Sequence, residues 1–137
     1  MSDMIMDKNI NILIVDDHDL VRIGLRHMLT SVADFLFFAE ACSGEEALDK
    51  AAEFKPDVVL MDVRMPGIGG IEATNRMQRR SPDSRVVALT ACADDPFPDL
   101  LLEAGARGFL TKDSGMDELV LAIREVYAGN HYVCRKI

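Results

Sequence analysis

The 137-residue sequence is poor in basic residues, in paired cysteines and in long apolar runs. Lysine and arginine number 15 against 23 aspartates and glutamates, so the net charge is −8, which disfavours binding to nucleic-acid backbones or anionic membranes. The three cysteines lie far apart without a CxxC pair, so a disulfide framework is not expected. Because the chain lacks a membrane-length apolar run and a signal-peptide pattern, we expect a soluble, cytoplasmic protein without a membrane partner.

What the sequence does contain is a repeated unit of a short apolar run, a turn and an amphipathic stretch. The apolar runs do not alternate with polar residues, which is typical of strands buried on both faces of a parallel sheet. They cover residues 10–15, 35–39, 58–61, 86–89 and 108–110. Since helical patterns fill the gaps between them, the sequence predicts an α/β fold, a doubly wound five-stranded parallel sheet with helices on both faces.

Several helix features can also be predicted. Ser43 is expected to cap the second helix, with Glu46 three residues later. His27 falls among the apolar positions of the first helix and is expected to pack at the edge of the core. Two prolines interrupt residues 94–98, so the fourth helix is predicted to be short, from near Pro98 to Gly105.

The main functional signal is a set of polar residues at the ends of four predicted strands. Asp16 and Asp17 follow the first strand, Asp62 the third, Thr90 the fourth, and Lys112 closely follows the fifth. Ligands of open parallel sheets bind beyond the carboxyl ends of the strands. The fold would therefore bring three carboxylates, one hydroxyl and one ammonium to the same edge.

The chemistry of this set favours a divalent cation. Two carboxylates about 4 Å apart repel by ~4 kcal/mol at an effective dielectric near 20, and Lys112 compensates only one of the three charges. The candidate ligands are oxygens, which favours a hard ion such as Mg²⁺. Carboxylate, lysine, hydroxyl and Mg²⁺ together are the components of phosphoryl transfer, in which a carboxylate can itself accept the phosphoryl group.

Four ordered motifs resemble the receiver domain of two-component response regulators. They are ILIVDDH at residues 12–18, DVVLMDVRMPG at 57–67, ALTA at 88–91 and GFLTKD at 108–113. Asp17-His18 and Asp113 resemble the NarL/FixJ type, and EACSGEEA and MPGIGG resemble the GacA/UvrY group within it. The resemblance implies a flavodoxin-like (βα)5 fold with strand order 2-1-3-4-5.

The resemblance implies roles for the individual residues of the site. Asp62 would be the phosphoacceptor, and it would bind Mg²⁺ together with Asp17 and the backbone carbonyl of Arg64. Asp16 would act through a metal-bound water. The domain would be a signalling phosphoacceptor that catalyses only its own phosphoryl transfer and slow dephosphorylation.

A second group of residues would convert phosphorylation into a signal. Lys112 would hold the phosphoryl oxygens, Thr90 would bond one of them in the active state, and Phe109 would be the aromatic switch partner. The implied partners are a sensor histidine kinase or its phosphotransfer domain and, on phosphorylation, a second copy in a homodimer. Residues 9–129 would form the receiver domain and 130–137 the start of a linker. DNA would be bound only through a helix-turn-helix output domain absent from this sequence.

Two other functions are compatible with parts of the sequence. The segment DHDLV at residues 17–21 fits the start of a haloacid dehalogenase-type phosphatase. That family needs a further acidic pair on a later strand, and the sequence predicts no strand after Lys112. The second alternative is a receiver-like interaction module that takes no phosphate. It would be expected to lack one or more of the five site residues, and all five are present.

Overall fold

The computed structural model describes residues 9–91 and 97–134 and shows strands alternating with helices. In chain order the elements are β1 (Ile10–Val15), α1 (Asp19–Leu29), β2 (Phe35–Ala41), α2 (Gly44–Phe54), β3 (Val58–Asp62), α3 (Gly69–Arg80), β4 (Arg85–Thr90), α4 (Phe97–Ala104), β5 (Gly108–Thr111), α5 (Met116–Tyr127) and β6 (Tyr132–Val133). The predicted fold class is confirmed. Residues 92–96, which include part of the proline-interrupted stretch, lie outside the described residues.

Neighbouring strands of the sheet run parallel, in the order β2-β1-β3-β4-β5-β6. The predicted order of the first five strands is confirmed, but the count of five is corrected to six within the described residues. After α5 the chain turns at Gly129, which has a φ of 99°, and returns beside β5. Tyr132 N donates to Arg107 O at 3.0 Å and Cys134 N to Phe109 O at 2.9 Å. A two-residue strand is too short for its periodicity to be recognised in the sequence.

The sheet is buried on both faces, as its uninterrupted apolar strands predict. One face packs against α2, α3 and α4 through Ala47, Met77 and Leu101, among others. The opposite face packs against α1 and α5 and includes Leu29 and Ile123. Since side chains alternate along a strand, the central strands supply both layers of the core and cannot shift register without exposing one of them.

The predicted helix features have different outcomes. Ser43 does cap α2, since its side chain accepts a hydrogen bond from Glu46 N at 3.1 Å. The helix α4 begins at Phe97 and ends before Gly105, close to the prediction. The prediction for His27 is wrong, because this residue is exposed. It lies two residues from Leu29, about 200° around the helix, and therefore points away from the sheet.

Candidate functional site

The five polar residues at the strand ends lie at the carboxyl edge of the sheet. Asp16 follows β1, Asp62 is the last residue of β3, Thr90 ends β4 and Lys112 follows β5. Lys112 joins two of these strands, since its Nζ lies 3.1 Å from Asp16 Oδ2 and 3.1 Å from Asp62 Oδ1. The parallel topology therefore brings together carboxylates that are 46 residues apart in the chain, as the sequence predicts.

Asp16 is the most firmly held of the three carboxylates. It is fully buried, and its backbone N donates to Ala41 O at 3.1 Å, which extends the pairing of β1 with β2. Its Oδ1 accepts a hydrogen bond from His18 N at 2.9 Å and lies 3.0 Å from His18 Nδ1. Since Lys112 occupies its other oxygen, both oxygens of Asp16 have partners.

Asp17 and Asp62 each retain one buried oxygen without a hydrogen bond among the described residues. These atoms are Asp17 Oδ1 and Asp62 Oδ2. Asp17 Oδ1 lies 3.2 Å from His18 Nδ1, outside hydrogen-bonding geometry. One ligand atom from each of Asp16, Asp17, His18 and Asp62 can be chosen so that all lie within 4.8 Å of one another. Buried oxygens without partners are unfavourable unless a cation binds them, so this donor set fits Mg²⁺.

Burial and the charges in the cleft together shift the pKa values of two groups. Burial raises the pKa of Asp62, and the negative charge of Asp16 raises it further. The hydrogen bond from Lys112 lowers the pKa of Asp62 and so opposes these two effects. Burial alone would lower the pKa of Lys112, but its hydrogen bonds and charge interactions with Asp62 and Asp16 raise it overall. Lys112 is therefore an ammonium ion at neutral pH, as a group that neutralises phosphoryl oxygens must be.

The loop after β3 brings backbone close to Asp62. A Cβ at position 70 would lie 2.2 Å from Asp62 O, so only glycine allows α3 to begin this near the end of the strand. The same loop places Arg64 N 3.3 Å from Asp62 Oδ1. The predicted contact of the Arg64 carbonyl with the metal stays a prediction.

Thr90 and Phe109 occupy neighbouring strands beside the site. Thr90 is buried, and its Oγ1 donates to Leu110 O at 3.4 Å. Phe109 pairs in register with Ala88 and is 3% exposed, packed into the core beneath α4. The structure thus shows Phe109 turned inward, toward the core.

Arg22 is a residue of this region that the sequence analysis missed. Its guanidinium Nη1 donates to Asp16 O at 2.6 Å, Nε donates to Glu40 Oε1 at 3.1 Å, and Nη2 donates to Asp19 Oδ1. A signal was present in the sequence, because Arg22 lies near the start of a helix, where a positive charge is unfavourable. This position alone does not identify the acceptors that the structure shows.

An acidic, lysine-containing cleft at the carboxyl edge of a parallel α/β sheet defines the class of receiver domains in signalling. Residues 12–124 match the family model described as response regulator receiver domain. The chain belongs to the response regulator receiver domain family, as its motifs predict. Among the described residues, no helix has the length and apolar character required to cross a membrane.

The comparisons with individual proteins agree with this family. The chain is 56% identical over 128 residues to response regulator GacA of Pseudomonas syringae pv. syringae and 43% identical to response regulator UvrY of Escherichia coli, with 93% of the chain covered in each case. The chain spans about 60% of the length of these relatives. A crystal structure of a LuxR-family two-component response regulator from Aurantimonas sp. SI85-9A1 superposes with a TM-score of 0.84 at 36% identity, covering 90% of this chain and 89% of that one. The predicted GacA/UvrY-type grouping is confirmed.

The phosphatase alternative needs one correction. A strand does follow Lys112, namely β6, contrary to the sequence-based expectation. Its two residues are tyrosine and valine, so it does not supply the acidic pair which that family requires. Together with the family match, this favours the receiver interpretation.

Proposed function

We propose that this receiver domain accepts a phosphoryl group on Asp62 in a Mg²⁺-dependent reaction. The observation that carries the proposal is the Lys112 ammonium, placed 3.1 Å from both Asp62 and Asp16. Beside it lie the oxygens of Asp17 and Asp62 that accept no hydrogen bond from any described residue. The donor would be a phosphohistidine of a sensor kinase or of its phosphotransfer domain. We infer this donor from the family to which the chain belongs.

Each residue of the cleft would have a distinct task in the transfer. An oxygen of Asp62 forms the new bond to phosphorus while the bond between phosphorus and the donor nitrogen breaks, and that nitrogen keeps the electron pair. Lys112 stabilises the charge on the phosphoryl oxygens. Asp17, Asp62 and the carbonyl of Arg64 would hold Mg²⁺, with Asp16 acting through a water. The bound ion supplies positive charge against the transferring group.

Thr90 and Phe109 are proposed to transmit the phosphorylated state to the surface. Thr90 would move its hydroxyl from Leu110 O toward a phosphoryl oxygen, and Phe109 would be held in the space between β5 and α4. A shift from mostly inactive to mostly active requires a preference of roughly 3–5 kcal/mol. One charge-assisted hydrogen bond contributes ~1.5–3 kcal/mol of this, so Lys112 and the cation must supply the remainder.

The output is proposed to be transcriptional and to lie outside this chain. The GacA and UvrY relatives are longer than the chain, and a DNA-binding region in a longer protein would account for the difference. The chain itself carries a net charge of −8, which disfavours direct binding to DNA. Pairing of two receivers on phosphorylation is a further proposal.

The decisive experiment is the intact mass of the protein after incubation with Mg²⁺ and acetyl phosphate. We expect the mass to increase by one phosphoryl group. When EDTA is present from the start, we expect no increase in mass. The variant Asp62→Asn should remain unlabelled, while Asp83→Asn, an exposed aspartate just before β4, should be labelled like the wild type. Labelling of Asp62→Asn at the wild-type rate would refute the assignment.

A further inference from the structure

The arrangement around Arg22 points to a role that its surface position does not suggest. The residue lies in α1, yet its side chain is only 14% exposed. Its guanidinium reaches three different acceptors: the backbone oxygen of Asp16 at the end of β1, the side chain of Asp19 in α1 and that of Glu40 in β2. One side chain thus ties together the three elements that surround the acidic pair.

We propose that Arg22 is a positioning residue that aims the Asp17 carboxylate at the cation. The proposal rests on the proposed function, because it assigns Asp17 to a Mg²⁺ site. Asp16 is oriented by His18 and Lys112, whereas Asp17 Oδ1 has no hydrogen bond among the described residues. The contact of this oxygen with His18 Nδ1 at 3.2 Å lies outside hydrogen-bonding geometry, so we infer that the Asp17 backbone sets the orientation of the carboxylate. The bond from Arg22 Nη1 to Asp16 O fixes the peptide unit that joins Asp16 to Asp17.

Arginine suits this task because of its planar fork of donors. It can bond in several directions at once, which a lysine ammonium cannot do with the same geometry. The charges of Asp19 and Glu40 also offset that of the guanidinium. Without them, a fixed positive charge beside the acidic pair would oppose the binding of a cation.

Electrostatics and positioning predict opposite effects when Arg22 is replaced by a neutral residue. If Arg22 acts only through its charge, its removal makes the cleft more negative, and Mg²⁺ binds more tightly. If it fixes the peptide before Asp17, its removal lets the carboxylate rotate, and Mg²⁺ binds more weakly. The sign of the change in affinity therefore separates the two roles.

Arg26 provides a matched control. It lies one turn further along α1, and its Nη1 donates to the other oxygen of Glu40 at 2.8 Å. It thus shares with Arg22 its charge, its helix and one partner. The Arg26 side chain donates to Glu40 and not to the Asp16 backbone, so its replacement tests the charge without the positioning contact.

The experiment measures Mg²⁺ affinity by isothermal titration calorimetry, together with the melting temperature in EDTA. We expect Arg22→Gln to weaken Mg²⁺ binding by about tenfold, the lower end of the effects seen when groups that orient metal ligands are lost. Arg26→Gln should bind Mg²⁺ as tightly as the wild type or slightly more tightly. Equal or tighter binding by Arg22→Gln would overturn the proposal.

A second variant covers the case in which Arg22→Gln does not fold. Arg22→Lys preserves the positive charge, so a weaker Mg²⁺ affinity in that variant can come only from the lost hydrogen-bond geometry. An Mg²⁺ affinity equal to that of the wild type would refute the proposal. A purely structural role would lower the metal-free melting temperature and leave the affinity of the folded protein unchanged. Failure of the wild type to bind Mg²⁺ or to be labelled by acetyl phosphate would instead refute the proposed function.

Discussion

The replacement of Asp17 by asparagine is expected to stabilise the metal-free protein and to abolish most of its response to Mg²⁺. Asp17 faces two other carboxylates, those of Asp16 and Asp62, and one of its oxygens is buried without a hydrogen bond among the described residues. Asparagine has the same shape and removes one of the three negative charges. The structural change is therefore small, whereas the electrostatic change is large.

The size of the effect follows from the geometry of the cleft. Ligand atoms within 4.8 Å of one another imply a repulsion of about 3.5 kcal/mol per pair at an effective dielectric of 20. Attraction to Lys112 offsets part of this, and the Asp17 side chain is 27% exposed, so water and salt screen it further. We expect a net gain of about 1 kcal/mol, which raises the melting temperature of a domain of this size by about 4 °C.

The assay is differential scanning calorimetry of wild type and variant, first in EDTA and then in saturating Mg²⁺. Asp49→Asn is the control, because Asp49 is an exposed residue of α2 and its replacement changes the net charge by the same amount. We expect Asp17→Asn to melt above the wild type in EDTA and to gain less from Mg²⁺. A melting temperature in EDTA equal to that of the control, or below the wild type, would refute the claim that the carboxylates repel one another.

Four further outcomes are expected. Thr90→Ala should still be labelled by acetyl phosphate but show smaller amide shifts with beryllofluoride, and a full wild-type response would contradict the proposed switch. The free energy of unfolding in urea should be about 1–3 kcal/mol lower for Gly70→Ala than for the wild type, because the added Cβ would lie 2.2 Å from Asp62 O. An unchanged free energy of unfolding would mean that the loop relaxes freely. Hydrogen bonds, chiefly from Arg26, lower the pKa of Glu40 below its usual 4.5. This stabilisation is present above pH 4.5 and lost as the pH falls through the lowered pKa, so Glu40→Gln should flatten the fall in unfolding free energy as the pH is lowered below 4.5. In a low-salt gel shift, the chain alone should not discriminate between DNA sequences.

The sequence was sufficient to predict the fold class and the members of the acidic cleft. Asp16 and Asp62 each follow an apolar run that has the length and composition of a buried strand, and parallel topology then brings the strand ends to one edge. Neither step needs knowledge of side-chain contacts. The prediction of the Mg²⁺ site depended on residue types and order alone, which a sequence records completely.

Features that depend on how the elements pack against one another could not be predicted in this way. The bond from Arg22 to Asp16 O depends on the angle at which α1 leaves β1, and no local pattern specifies that angle. His27 was misplaced because an apolar periodicity of three or four residues can be traced on two sides of α1, and only packing decides which side is buried. The inward orientation of Phe109 likewise depends on the space beneath α4.

The short strand β6 covers part of one edge of the sheet. Without it, β5, whose four residues are all buried, would form an open edge of the sheet, with unpaired backbone groups able to pair with another molecule. The bond from Cys134 N to Phe109 O occupies part of that edge, and a two-residue outer strand is a poor template for further pairing. The last described residues therefore leave less of the β5 edge open for pairing with the strand of another molecule.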